Sequence, residues 1–217
     1  PIGNFRTPAT KGRGGAEYST WHYDEHIQES HDFPDKRIDE EAMWANFQYF
    51  LERIIPVAEE NNVRMALHPD DPPIPEPLGG AARIVSTIDQ YKRIFDLVPS
   101  DSNAMLFCQG CVTEMGVNVF DTIRDIGGLG KIVYVHFRNI HGNKEARPGG
   151  GLTFFQEVFL DEGDIDMVKA METYKEAGFN GPFMMDHTPG IPGDREGREG
   201  HAFATGYIRA LIQTVYR

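Results

Sequence analysis

Cysteine is scarce in this chain, with Cys108 and Cys111 the only two among 217 residues, and both sit in one run, Cys108-Gln109-Gly110-Cys111. A C-x-x-C pair raises the possibility of a redox motif, but no partner pair exists elsewhere to complete a zinc ribbon or a disulfide framework. A reduced, cytoplasmic protein is therefore expected. Long apolar runs are missing as well. None approaches the roughly 20 residues that span a bilayer, and the polar, Gly-rich N-terminus carries no secretory signal, so no membrane partner is expected. Positive charge is short: 21 Lys and Arg face 33 Asp and Glu, a net −12. That balance argues against nucleic acid as a partner. It does not exclude an anionic small molecule, which a local arginine or metal can hold. No G-x-G-x-x-G follows an apolar run, which disfavours a nucleotide-binding sheet. Segment 21–37 holds His22, His26 and His31. His22 and His26 have helical spacing but no H-E-x-x-H pattern, so they read as a solvated helix face.

Four short apolar runs each end on a residue that binds divalent metals. Val63, Met65, Ala66 and Leu67 lead into His68-Pro69-Asp70-Asp71-Pro72-Pro73. Ala104–Phe107 ends at Cys108, Ile132–Val135 at His136, and Phe183–Met185 at Asp186-His187. Short apolar runs closed by loop signals read as buried strands. Between them lie helical patterns. Asp39 caps a helix over 39–61 with Met43, Trp44, Phe47, Phe50, Leu51 and Ile54 at helical spacing and Pro56 as a kink or restart. Further helices are expected from Ser86 or Thr87 to about Leu97, over 117–126, over 164–177 and over about 201–216. Residues 1–20 and 141–153 read as loops.

Strand, loop and helix repeat four times, which implies parallel pairing. The expected fold is α/β, a (β/α) TIM-barrel type, with this chain covering about the C-terminal half. A loop or insertion region occupies 1–37 and the βα repeats 38–217. In such a barrel the carboxyl ends of the strands converge on one mouth. His68, Cys108, His136 and Asp186 would then meet there as a metal site, and a His/Cys/His/Asp set suits Fe(II), Mn(II) or Zn(II). Arg138 shares side-chain parity with His136 and would grip a carboxylate in a bidentate way. His187 is an acid/base candidate, and Glu157 a hydroxyl-binding candidate. Asp70 and Asp71 are expected to orient His68 or bind substrate hydroxyls.

At these residues the chain resembles the metal-dependent barrel-type mannonate dehydratases. The resemblance runs through Arg6-Thr7, the stretch from Phe50 to Glu60, Met65 to Pro73, Arg83 to Thr87, Phe107 to Gly110, Val135-His136-Phe137-Arg138-Asn139, and Asp186-His187. It implies a manganese or ferrous ion on His68, Cys108, His136 and Asp186, with zinc also compatible. It implies loss of water from an aldonic acid to give a 2-keto-3-deoxy acid, with His187 matching the catalytic histidine. Arg6 and Asn139, within these stretches, join the substrate-binding candidates. The family's arginine just before Asp-His is replaced by Met184 and Met185, and the loop before the last helix offers Arg198 and His201 where the family has a tyrosine. A related sugar isomerase or epimerase, or an inactive sugar-acid-binding homologue, are the alternatives. Four strands cannot close a barrel, so the first half is expected to be missing from this chain or supplied by another copy. A homo-oligomer acting on a small sugar acid is the expected assembly.

Overall fold

The computed structural model describes residues 6–28, 37–143, 145–147 and 149–217; His31 lies outside them. In chain order the elements are β1 (Thr7–Lys11), β2 (Glu17–His22), α1 (Tyr23–Gln28), α2 (Glu40–Glu60), β3 (Met65–Leu67), α3 (Ile88–Leu97), β4 (Asn103–Cys108), α4 (Gln109–Glu114), α5 (Val119–Gly128), β5 (Ile132–His136), β6 (Ile140–Gly142), β7 (Phe154–Glu157), α6 (Met167–Glu176), β8 (Phe183–Met184) and α7 (Arg198–Val215).

The strands form two sheets. One is parallel, in the order β3-β4-β5-β8, with register Leu67↔Met105, Cys108↔His136 and His136↔Met184. These are the four strands that the apolar runs predict. One side of this sheet packs on the helices in a single core that includes Met105, Phe107, Val135, Tyr174, Ile94, Ile123 and Ile208. Its helices start as their caps dictate. Thr87 and Gln90 close a capping box on α3, Asn118 accepts from two backbone N–H groups of α5, and Asp166 caps α6. On α2, Asp39 accepts from Ala42 N, and Trp44, Leu51, Ile55 and Ala58 line the buried stripe. The helix runs unbroken through Pro56, which is exposed, and Phe50 is 47% exposed, outside the stripe.

The second sheet, antiparallel in the order β1-β2-β7-β6, corrects the loop reading of residues 1–20. Tyr18, Thr20 and Trp21 of Glu17–His22 are buried, and Trp21 stacks on Phe155 at 5.3 Å. The glycines that exclude a helix form a hairpin turn instead, with Gly14 at φ 63° and Gly15 at φ 80°. The histidine pair is corrected too. His22 ends β2 against the Phe154 ring, and His26 is buried on α1 against Trp21. They do not share a solvated helix face.

Candidate metal centre

Each of the four parallel strands delivers one polar side chain at or just beyond its carboxyl end. Alternation along the strands settles which side each takes. Met105, Phe107, Val135 and Phe183 pack toward the helices, while Cys108 and His136 point the other way. Parallel register sets Cys108 beside His136, and the rings of His68 and His136 lie 5.1 Å apart. Asp186 follows β8 with φ 71°, a left-handed backbone that few non-glycine residues adopt. Its Oδ1 comes within 3.4 Å of His136 Nδ1 and its Oδ2 within 3.9 Å of Cys108 Sγ. One ligand atom from each of His68, Cys108, His136 and Asp186 lies within 4.8 Å of all the others.

The electrostatics of this cluster are those of a cation site. Burial opposes ionisation of Cys108, but the Cys111 hydrogen bond, the Arg138 charge and the two imidazoles outweigh it and hold the thiol well below its ordinary value. Burial likewise opposes ionisation of Asp186, yet His136, Arg138 and His187 bring it down to about 2. His136 is pushed up to about 9, because the Asp186 carboxylate and the Cys108 sulfur outweigh its burial.

Behind this cluster lies a second one, centred on Arg138. The side chain is 2% exposed. Nη1 lies 3.0 Å from Asp71 Oδ2, 3.0 Å from Asp186 Oδ2, 3.1 Å from His187 Nε2 and 3.3 Å from Glu157 Oε1. Nη2 donates to Glu114 Oε1 at 2.8 Å and to Cys111 Sγ at 3.2 Å. Arg138 is therefore committed to the protein's own acids, and the open bidentate grip expected from strand parity is not what it makes. Parity was right, but the sequence did not reveal four acidic side chains around it, Glu114 and Glu157 buried and Asp71 and Asp186 partly so. Arg6, 21% exposed, donates to Asp71 Oδ1 at 2.7 Å, to Glu157 Oε1 at 2.5 Å and to Ser19 Oγ at 3.1 Å. The antiparallel sheet makes this possible, since β2 pairs Ser19 with Glu157 on the central strand β7. Glu157 is nearly buried. Burial opposes its ionisation, but Arg138, His187 and Arg6 hold it at about 2, and the two arginines hold Asp71 well below the carboxylate range against the same opposition.

His187 is half-exposed, with Nδ1 2.8 Å from Glu157 Oε2 and Nε2 3.3 Å from Asp186 Oδ2. Burial lowers its basicity, but Glu157 more than reverses this, so the imidazole keeps its proton to a higher pH than usual.

Two candidates are structural. Asp70 Oδ2 accepts from Val85 N at 2.9 Å and Ser86 Oγ at 3.0 Å, and its Oδ1 pairs with Arg83 at 3.2 Å, which pins the loop leading into α3. Asn139 is buried, donates to Leu160 O and Ile165 O, and accepts from Ile140 N and Ile165 N. Its amide is used up in folding the 158–165 loop over β6. Arg198, offered in place of the family's tyrosine, is 77% exposed and pairs with Glu196, and His201 is exposed on α7. Glu114 was missed from sequence. It lies three residues after Cys111, one helical turn on, and only the position of Cys111 could have pointed to it.

A divalent ion suits these residues. The donor set mixes nitrogen, sulfur and oxygen, and His136 Nδ1 is buried with no hydrogen-bond partner among the described residues. Burial and crowding by Asp71 push the Glu114 carboxyl well above its usual value, against the pull of Arg138. Arg6 and Arg138 face Asp71, Glu157, Asp186 and the Cys108 thiolate, and protons on His136 and His187 supply the remaining positive charge in the metal-free site. A divalent ion on the four-ligand cluster would supply that compensation in place of the His136 proton.

Known proteins share this arrangement of elements. The family model for D-mannonate dehydratase (UxuA) matches residues 15–215. The chain is 35% identical over 181 residues to mannonate dehydratase 2 of Halalkalibacterium halodurans, which covers 82% of this chain and 49% of that protein. Against mannonate dehydratase of Lactococcus lactis subsp. cremoris it is 35% identical over 178 residues, 81% of this chain and 47% of the relative. The chain thus spans about half the length of the curated relatives it matches. The crystal structure of mannonate dehydratase from Streptococcus suis serotype 2 superposes on 96% of this chain and 63% of its own, with a TM-score of 0.76 and 25% identity. A xylose isomerase domain protein from Alicyclobacillus acidocaldarius, at TM-score 0.58 and 18% identity, shares the barrel fold alone.

Proposed function

The chain belongs to the D-mannonate dehydratase family, and from that premise we propose that it is a hydro-lyase acting on an aldonic acid of the mannonate kind to give a 2-keto-3-deoxy acid. The observation that carries this reading is the meeting of His68, Cys108, His136 and Asp186 within 4.8 Å at the mouth of the parallel sheet. In this reading those four residues hold manganese or ferrous iron, with zinc also compatible. When bound, such an ion supplies a Lewis acid that stabilises the charge arising as the carbon beside the carboxylate loses its proton.

The chain's own residues do the rest. His187 is the acid/base group. Its imidazole, favoured in its protonated form by Glu157, suits donation of a proton to the departing hydroxyl. Once it has lost that proton it can accept one. Arg6, the more open of the two arginines, takes the place first given to Arg138 as contact for the substrate carboxylate. Asp71 and Glu157 face the same space and hold Arg6 there, while substrate hydroxyls compete for their oxygens. A cytoplasmic location fits the two buried free thiols. A homo-oligomer fits the outer edges of β3 and β8, which end the sheet among the described residues.

The test is incubation of manganese-loaded protein with D-mannonate and a panel of aldonic acids, with detection of 2-keto-3-deoxy acid. Metal-dependent product is expected. Aldose isomerisation without loss of water would replace this reading with an isomerase. Binding without turnover would make the chain a sugar-acid binder, the outcome that the missing tyrosine keeps in view.

A further inference from the structure

Arg138 has two ends in different company. Nη1 faces Asp71, Asp186, His187 and Glu157, the groups around the metal cluster. Nη2 faces away, and its hydrogen-bond partners among the described residues both come from α4. Glu114 Oε1 accepts at 2.8 Å and Cys111 Sγ at 3.2 Å. Residues three apart on a helix share a face, so one turn supplies both acceptors. The same turn fixes the rest of the residue. Gln109 Nε2 donates to Arg138 O at 3.3 Å. At Gly110 an added Cβ would lie 2.3 Å from Arg138 Nε and 3.0 Å from Cζ, so the guanidinium rests directly on the helix backbone. The Glu114 side chain is fully buried and reaches neither the solvent nor the four-ligand cluster, for which its group with Asp71 and Cys111 is separate.

We propose that α4 is a clamp on Arg138, and that Glu114 and Gly110 are positioning residues which, through that guanidinium, hold Asp186 in place for the metal. The inference rests on the metal reading above. Asp186 needs such a hold, because its backbone sits in the left-handed region and nothing in its own strand fixes its carboxylate. Partners of this kind, once removed, cost about 10–100-fold in metal affinity or activity. A buried carboxyl with a merely structural role would behave otherwise, since its removal would strand Arg138 Nη2 and lower stability but leave the Mn2+ affinity of the folded protein unchanged.

The test compares Glu114→Leu, Glu114→Gln and Gly110→Ala by Mn2+ affinity, from competition with a chelator, alongside thermal stability. Glu114→Leu removes the acceptor and is expected to weaken Mn2+ binding about tenfold or more in protein that still folds, with a lower Tm because Nη2 loses its partner. Glu114→Gln keeps an oxygen for Nη2 and is expected to stay within about threefold of the parent. Gly110→Ala favours the helix while displacing the guanidinium, so it is expected to weaken Mn2+ binding in a folded protein. In an Arg138→Met background, Glu114→Leu should then cost nothing further. Parent-like Mn2+ affinity in Glu114→Leu, or losses that multiply in the double variant, overturns the clamp and leaves the metal site standing. No Mn2+ binding by the parent overturns both.

Discussion

His187 and Asp186 show how two adjacent residues divide one site. The positive φ of Asp186 turns its carboxylate into the cluster with His68, Cys108 and His136, while His187 leans on Glu157. Substituting His187→Asn is therefore expected to leave bound manganese in place and to lower turnover by about a hundredfold or more. Metal content and turnover measured on one sample decide it. Loss of metal would make His187 a ligand, and full activity would remove it from the chemistry. Asp71 and Glu157 set the behaviour in acid. Both are depressed in the folded chain by Arg138 and Arg6, Glu157 to about 2. In the unfolded chain such groups titrate near 4. The unfolded state thus takes up protons first as the pH falls. The stability these pairs contribute is present in full above about pH 4 and is lost toward about pH 2. Denaturant midpoints of the metal-free protein should fall across that window, and more shallowly in Glu157→Gln. A midpoint unchanged between about pH 5 and 2.5 would refute this.

Among the elements, the parallel strands and their helices were legible in advance because each carries its own signal. Periodic apolar positions mark α2, and side chains at Asp39, Thr87 and Asn118 cap α2, α3 and α5. The antiparallel sheet was not legible. Its strands are short; β1 pairs with β2 and β6 with β7 locally, but the two hairpins become one sheet only by β2 pairing with β7 across more than 130 residues of sequence, as Ser19 does with Glu157. Helix α2 holds a local conflict that tertiary packing overrides. Pro56 cannot donate to the helix, yet Leu51, Ile55 and Ala58 keep the helix seated on both sides of it. Because Pro56 is exposed, Pro56→Ala is expected to stabilise the protein by about 1–2 kcal/mol, less than the full intrinsic difference because proline also restricts the unfolded chain. Thermal and urea unfolding measure it, and a lower Tm would show that the ring packs on something of value.

For the whole molecule, the metal cluster joins β3, β4, β5 and β8, so a bound ion ties together segments from residue 68 to residue 186. Manganese at about a hundred times its Kd is expected to add about 2.7 kcal/mol. At about 2–4 °C per kcal/mol for a chain of this size, Tm should rise by about 5–10 °C. EDTA should reverse the rise and His68→Ala abolish it; an equal rise in His68→Ala would place the ion elsewhere. The sequence by itself determined the alternation of strands and helices, the residue that ends each parallel strand, and hence a convergent donor set, because strand parity is local and a helix between successive strands makes them run parallel. Only the tertiary structure decided what each charge near that set is for. Asp70 and Asn139, which look free in sequence, are spent on the loops at Val85 and Ile165. Arg138, which points the expected way, is enclosed by acids from four separate segments, one of them Glu114. The charge on a side chain is written in the sequence, but which opposite charges reach it depends on distances that exist only after the sheets close around it.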